Sequence, residues 1–330
     1  MGRGLALATT TPTTSTRATS RMQAPDIGRL EASLDLAHAR LGVIGGSGLY
    51  AMEGLEDPRE LTLETPYGKP SDSLLMGRIG GIEVVFLARH GRHHTYTPTE
   101  LPYRANLWAL RSLGVRWVLS VSAVGSLQEP IRPLDMVVPD QLIDRTHQRP
   151  ITMFGDGLVA HVGFADPFCP VLSRLLADVA ESLMPEGRSL HRQGTYLCME
   201  GPAFSTRAES QLYRSWGCDV IGMTNHTEAR LARECELAYT TLAMATDYDC
   251  WHQEHASVTV EMVIDNLRAN AALAQQIVRL AAERVAAQRP PSSAHQALRH
   301  ALMTPRDQVP AETRRRVDLL TTPYWGAFAD

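Results

Sequence analysis

Six apolar stretches of this chain stop abruptly at glycine, hydroxyl or charge, and segments of helical period lie among them. The endings are Gly45-Gly46-Ser47-Gly48, Arg89-His90-Gly91-Arg92, Ser122-Ala123-Val124-Gly125-Ser126, Glu200-Gly201-Pro202, Met223-Thr224-Asn225 and Asp247-Tyr248-Asp249. Few folds accommodate that pattern. LGVIGGSGLY (41–50), IEVVFLARHG (82–91), WVLSVSAVGSL (117–127), GTYLCMEGP (194–202), CDVIGMT (218–224) and LAYTTLAMAT (237–246) read as strands. DMVVPDQLI (135–143) is one more, weakened by Pro139. Helices are expected over 102–114, 169–183, 205–217, 225–236 and from about 257 to 288. Pro102 suits a first helical turn, and Thr206 with Glu209 has the spacing of a capping box. Strands alternating with helices across residues 39–288, without a repeat, predict an α/β fold. The expected form is a single-domain three-layer sandwich, a central mixed sheet flanked by helices. Residues 1–38, rich in Thr, Ser and Arg, are expected to form a disordered extension, with Met22 as an alternative start. Residues 289–330 follow an Arg-Pro-Pro break and are expected to be a C-terminal appendage with a short helix.

Composition narrows the function. The formal net charge of −4 supplies no global field for nucleic acid, so any anion must be bound locally. The five cysteines are odd in number and form no CxxC pair, which fits a reduced, cytoplasmic chain. No apolar run approaches the roughly 18 residues of a membrane span, and the start lacks the apolar core of a secretory signal.

Ligands of α/β sheets gather where strands end. Arg89, straight after VVFLA, is suited to phosphate because its fork pairs oxygens two at a time, though a surface ion pair would also use it. Asp247 and Asp249 are two apart, so on a strand both carboxylates lie on one face. Gly46-x-Gly48-x-x-Ala51 matches the loose dinucleotide fingerprint, but the following residues, broken by Pro58 and Pro66, carry no helical period. The same glycines serve equally for an anion loop or a tight turn. His90, His93 and His94 have no acids or cysteines at matching ligand spacing, so no metal is expected. Neither GGSGL nor AVGSL forms the G-x-S-x-G elbow of a serine hydrolase. Phe204, at the mouth of a helix, suits either core packing or stacking on a flat ligand.

Taken in order, GVIGGSGL, TPYGKPSD, LARHGR, YRANLWAL, SAVGSL, ADPFCP, EGPAFSTRAES, WGCDVIGMT and ATDYDCW cover roughly residues 40 to 285. Together they resemble the trimeric purine nucleoside phosphorylase family, most closely its S-methyl-5'-thioadenosine phosphorylase branch. The resemblance implies phosphorolysis, with inorganic phosphate as co-substrate, no cofactor and a homotrimeric assembly. It implies phosphate ligands at Ser47, Arg89, His90, Ser122, Ala123 and Thr224. Met223 would lie against the ribose and Phe204 on the purine. Asp247, Tyr248 and Asp249 would stand at the base, and Val260, Val263 and Ile264 would line a 5'-methylthio pocket. In the 6-oxopurine branch asparagine and glutamate hold the base; their positions here correspond to Asp247 and Ser205, which favours a 6-aminopurine.

These roles are chemically coherent. The sugar gains oxocarbenium character as its glycosidic bond breaks, and charge collects on the departing purine. A carboxyl at a buried strand end has a raised pKa and can hold the proton that relieves this charge. Asp247 is the expected acid. Val260, Val263 and Ile264 fall on one helical face, which equally describes a core face. Adenosine and 6-oxopurine nucleosides are the nearest alternative substrates. A nicotinamide-dependent oxidoreductase and a non-catalytic nucleoside-binding protein are the readings from other classes. Departures from the resemblance are Ser47 and Ser122 in place of frequent threonines, Ala203 in place of arginine, and Asn225-His226-Thr227-Glu228 without a Pro-Glu pair.

Overall fold

A computed structural model describes residues 36–46, 54–252 and 260–326, with the side chains of Val260 and Met262 excepted. The expectation of a disordered extension over 1–38 falls almost wholly outside these residues, as do the expectations placed on Ser47 and on the side chain of Val260.

Eleven strands form one mixed sheet. They are β1 (Arg40–Gly45), β2 (Glu56–Leu61), β3 (Leu74–Ile79), β4 (Ile82–Ala88), β5 (Val115–Ser126), β6 (Met136–Val137), β7 (Gln141–Arg145), β8 (Leu190–His191), β9 (Thr195–Met199), β10 (Val220–Gly222) and β11 (Ala238–Asp247). The helices are α1 (Tyr103–Ser112), α2 (Pro170–Leu183), α3 (Arg207–Ser215), α4 (Asn225–Glu234), α5 (Val260–Gln288) and α6 (Ala311–Trp325).

The twelve-residue β5 organises the sheet. One edge pairs in parallel with β11 from Trp117 to Gly125. The other edge pairs with β1 as far as Ser120, and with β10, antiparallel, at Gly125 and Ser126. Residues 121–124 therefore have no β1 or β10 partner, and the strand opens a gap in the sheet there. The strand order runs β2-β3-β4-β1-β5-β10-β9-β7.

Side-chain alternation builds the two outer layers. Val84 and Phe86 point into a core with α2 and α5, including Leu172, Leu176, Ile277 and Val278. Val85 and Leu87 point the other way, against Leu107 and Leu110 of α1 and Leu231 of α4. Truncating a core aromatic such as Phe86 to alanine would cost about 3–5 kcal/mol. All ten residues of β11 are buried.

The expected elements lie close to their predicted spans, and the Thr206–Glu209 capping box forms with reciprocal bonds of 2.8 and 3.2 Å. Three features differ. The pattern over 135–143 splits into β6 and β7, because Pro139 between them has no N–H to donate. β2 and β3 carried no strand signal. β2 lies at a sheet edge with five of its six residues exposed, so it tolerates Pro58 and shows no alternation. In the segment 289–330, expected as an appendage, the described residues add to the core: Leu298, Val309, Val317 and Leu320 are buried beside α1 and α4. Among the described residues no helix is long and apolar enough to cross a membrane. All five cysteines are unpaired thiols.

Candidate active site

The gap along β5 is bordered by the ends of β1, β4, β10 and β11, the strands that carry most of the predicted site residues. β1 and β4 end in register, Gly45 against Ala88, and the Arg89 amide continues the ladder to Gly45 O at 2.9 Å. Ser122 and Ala123 lie in the gap itself, opposite Ala243 and Met244 of β11. Thr224 is the N-cap residue of α4; it is buried, and its hydroxyl makes no capping bond. That leaves the start of α4, with its partial positive charge, at the site.

Asp247 ends β11 opposite Gly125. A Cβ at Gly125 would stand 3.0 Å from Asp247 Oδ1 and 3.1 Å from Ile221 Cγ2, so glycine makes room for the carboxylate. Asp247 is 5% exposed. Thr246 Oγ1 donates to its Oδ2 at 2.7 Å and the Asp249 amide to its Oδ1 at 2.8 Å. Burial pushes its pKa up to about 6; those two bonds oppose the rise, and the Asp249 charge adds to it. Asp249 adopts φ 51°, and its buried Oδ2 has no donor in bonding geometry. Its pKa is raised by burial, although the Ser210 and Ser205 hydroxyls beside it pull the other way. The two acids therefore form a buried pair with one open acceptor.

The third residue of the motif goes elsewhere. Tyr248 stacks on His252 at 4.8 Å, and its hydroxyl donates to Glu129 O. Ser205 comes close to the pair: its carbonyl accepts from Cys250 Sγ at 3.2 Å. Phe204 is 44% exposed, which removes core packing as its role. Met223 is half-buried, with its Sδ against Gly201 where a Cβ would approach to 2.5 Å. At the start of α5, Asn266 Nδ2 donates to Thr246 O at 2.6 Å and docks the helix beside β11. The apolar stripe of α5 enters the core further on, from Ala274 to Val285, whereas Val263 is half-buried and Ile264 is 40% exposed. Val263 and Ile264 are thus not fully buried core positions.

Arg89 departs from its expected geometry. Its fork is filled from within the protein. Nε donates to Glu228 Oε1, Nη2 to Glu228 Oε2 at 3.1 Å and to Ser120 Oγ at 2.6 Å, and Nη1 to Val121 O at 3.1 Å. Burial lowers the Arg89 pKa and Glu228 more than reverses this, so the guanidinium stays charged. These bonds use four of the five N–H groups that a guanidinium carries; the fifth is on Nη1, the nitrogen that donates to Val121 O. His90 Nδ1 lies 2.9 Å from Tyr96 O, and a carbonyl only accepts, so Nδ1 carries the proton. Burial pulls the His90 pKa down to about 4, with Arg89 and His94 adding to the fall against the Tyr96 bond. The ring is neutral near pH 7, and Nε2 is an acceptor.

Two residues that the sequence reading gave no role also hold the site. Glu228 is one. Arg149 is the other: Nη1 donates to Met223 O at 2.9 Å, and Nη2 and Nε to Glu200 O and Oε1 at 2.6 and 2.9 Å. It ties the ends of β9 and β10 together. Glu228 had a signal, an acid in the first turn of an otherwise mixed helix; Arg149 sits in a loop with none.

The family model described as the phosphorylase superfamily matches residues 40–283. This chain belongs to the phosphorylase superfamily. Two curated relatives, each named S-methyl-5'-thioadenosine phosphorylase, extend the match across most of this phosphorylase. One, from Prochlorococcus marinus, is 69% identical over 89% of this chain and 93% of its own. The other, from Thermosynechococcus vestitus, is 61% identical over 87% and 99%. A solved structure of a methylthioadenosine phosphorylase from an antarctic soil metagenomic library superposes with a TM-score of 0.82 at 51% identity, covering 86% of this phosphorylase and 99% of that chain.

Proposed function

We propose that the protein cleaves S-methyl-5'-thioadenosine by phosphorolysis, giving adenine and 5-methylthioribose 1-phosphate, and so acts as a pentosyltransferase. The observation that carries this is the buried Asp247–Asp249 pair facing an anion-compatible gap in the same sheet. The names of the relatives supply the substrate class. Phosphate is a co-substrate, and the chemistry requires no metal or organic cofactor.

The proposed anion site comprises Ser47, Ser122, Thr224, the Ala123 backbone, the remaining Arg89 Nη1 hydrogen and His90. Neutral His90 accepts through Nε2, which suits the P–O–H of monohydrogen phosphate. A phosphate oxygen bonds to C1' while the C1'–N9 bond breaks, and its electron pair passes to the purine. Asp247 gives its proton to N7, and the proton released by phosphate restores the acid. Asp249 Oδ2 accepts from the adenine N6 amino group, with Ser205 beside it. Phe204 covers the base, Met223 the ribose, and Val260, Val263 and Ile264 the methylthio end. A 6-oxopurine would leave Asp249 without a donor, at about 1–3 kcal/mol for an unpaired buried group.

The assembly we propose is a homotrimer, and its place the cytoplasm. Ile151, Val159 and Met303 are 67%, 48% and 60% exposed, and the last two are neighbours through a 2.9 Å backbone bond, which supports a covered face. Release of free base from methylthioadenosine, adenosine and methylthioinosine, each with and without phosphate, tests the activity. Base release that ignores phosphate, or faster turnover of methylthioinosine, would overturn it.

A further inference from the structure

We propose that Glu228 is the positioning residue of the anion site, coupling Arg89 on one element to Thr224 on another. The inference rests on the phosphorolysis reading. Thr224 and Glu228 are one turn apart at the start of α4, joined by the Glu228 amide donating to Thr224 O at 3.2 Å. Arg89 follows β4, on the far side of β1 from β5. Nothing in the strand ladder links these two parts of the anion site directly; the Arg89–Glu228 pair does. Both Glu228 oxygens are engaged by the guanidinium, and the side chains are 5% and 2% exposed.

Glu228 is itself held by two further hydroxyls. Tyr239 donates its hydroxyl to Oε2 at 2.8 Å, and Ser120 Oγ lies 3.1 Å from the same atom. Thr241 Oγ1 donates to the Tyr239 hydroxyl at 3.2 Å and accepts from Asn225 Nδ2, so the network returns to the first residue of α4. The acid thus sits in a rigid polar frame drawn from β5, β11 and α4. It fixes the guanidinium plane, so that Nη1 is delivered to Val121 and the gap beyond it. Buried networks of this kind are satisfied as a whole or not at all. A side chain that gripped Arg89 only to stabilise the fold would have no preference for which substrate suffers when it is changed; a positioning residue would.

Inorganic phosphate is the probe, read both in turnover and by direct calorimetric binding without nucleoside. In Glu228→Gln the phosphate KM should rise roughly tenfold or more, as expected for a misplaced ligand group, while the nucleoside KM stays within about twofold. Paired with Arg89→Met, the double variant should be no weaker for phosphate than Arg89→Met alone, because both changes remove one device. Tyr239→Phe keeps both charges and deletes one bond to Glu228, so it should raise the phosphate Kd by a few fold at most. If Glu228→Gln does not fold, Glu228→Asp carries the same comparison. Equal rises in both KM values, an unchanged phosphate Kd, or additive effects of the Arg89 and Glu228 changes would each overturn the proposal. A wild-type protein that binds phosphate yet releases no base would refute the activity reading instead, leaving the Glu228 test readable from binding.

Discussion

The two ends of the site treat a buried charge in opposite ways. Asp247 has no cation beside it: its neighbours are a hydroxyl, an amide and a second acid, and burial raises its pKa. Arg89, also buried, is matched by Glu228, whose carboxylate takes two of its nitrogens. An unpaired acid in the interior is held ready to keep a proton, and a paired cation is held ready to keep its charge. One end is therefore built to move a proton and the other to stay constant. Phosphorolysis needs both, since the leaving base must be neutralised while the incoming anion is steadied.

Deleting the acid should give the largest effect. Asp247→Asn is expected to lower kcat for adenine release by about 10²–10⁴-fold, the span of general acid catalysis. Full turnover by that variant would end the comparison. Arg89→Met comes next, and it should damage stability as well as phosphate capture. It leaves Glu228 as an unpaired buried charge, a loss of about 3–5 kcal/mol that thermal or urea unfolding would register. Asp247→Asn should show no such loss, and a matching drop in that variant would erase the contrast between the two ends.

The pH profile sharpens the difference further. Asp247 has a folded pKa of about 6, above the ordinary aspartate value of 3.8. Between those values the folded state holds a proton that the unfolded state has lost. Ionised Asp247 therefore costs stability above about pH 6, by at most about 3 kcal/mol, and the cost vanishes as pH falls below about 4. Unfolding of Asp247→Asn compared with wild type at pH 8 and pH 4 should show the difference at the higher pH only. For the same reason wild-type kcat/KM for the nucleoside should fall as pH rises through about 6. The smallest effect is expected from Thr246→Val. It removes the 2.7 Å bond to Oδ2, a bond worth about 1 kcal/mol. The limb of the pH profile should move upward by less than about one unit, and a downward move would contradict the assigned donor.

Much of this was legible in the residues themselves. Strand endings at Arg89, Thr224 and Asp247 could be found because apolar runs halt there, whereas Ser122 lies inside β5, which runs on to Ser126. Two-residue spacing singled out Asp247 and Asp249 on the expectation that both lie on one strand face. The strand reading of that pair does not hold, because β11 ends at Asp247 and a turn at Asp249, φ 51°, brings the second acid back so that its amide donates to Asp247 Oδ1. β2 escaped because an exposed edge strand needs no apolar pattern. The buried positions of the C-terminal segment were not legible because they are scattered at irregular intervals, Leu298, Val309, Val317 and Leu320.

The sequence by itself determined the layered α/β plan and the strand ends at which ligands gather, because each is a local pattern of side-chain period. Only the tertiary structure decided what the cation does. Arg89 and Glu228 are 139 residues apart, and no local period reports such a distance. Their pairing depends on β4 and α4 meeting around β5, and it turns a fork that looked open to phosphate into one largely occupied from within.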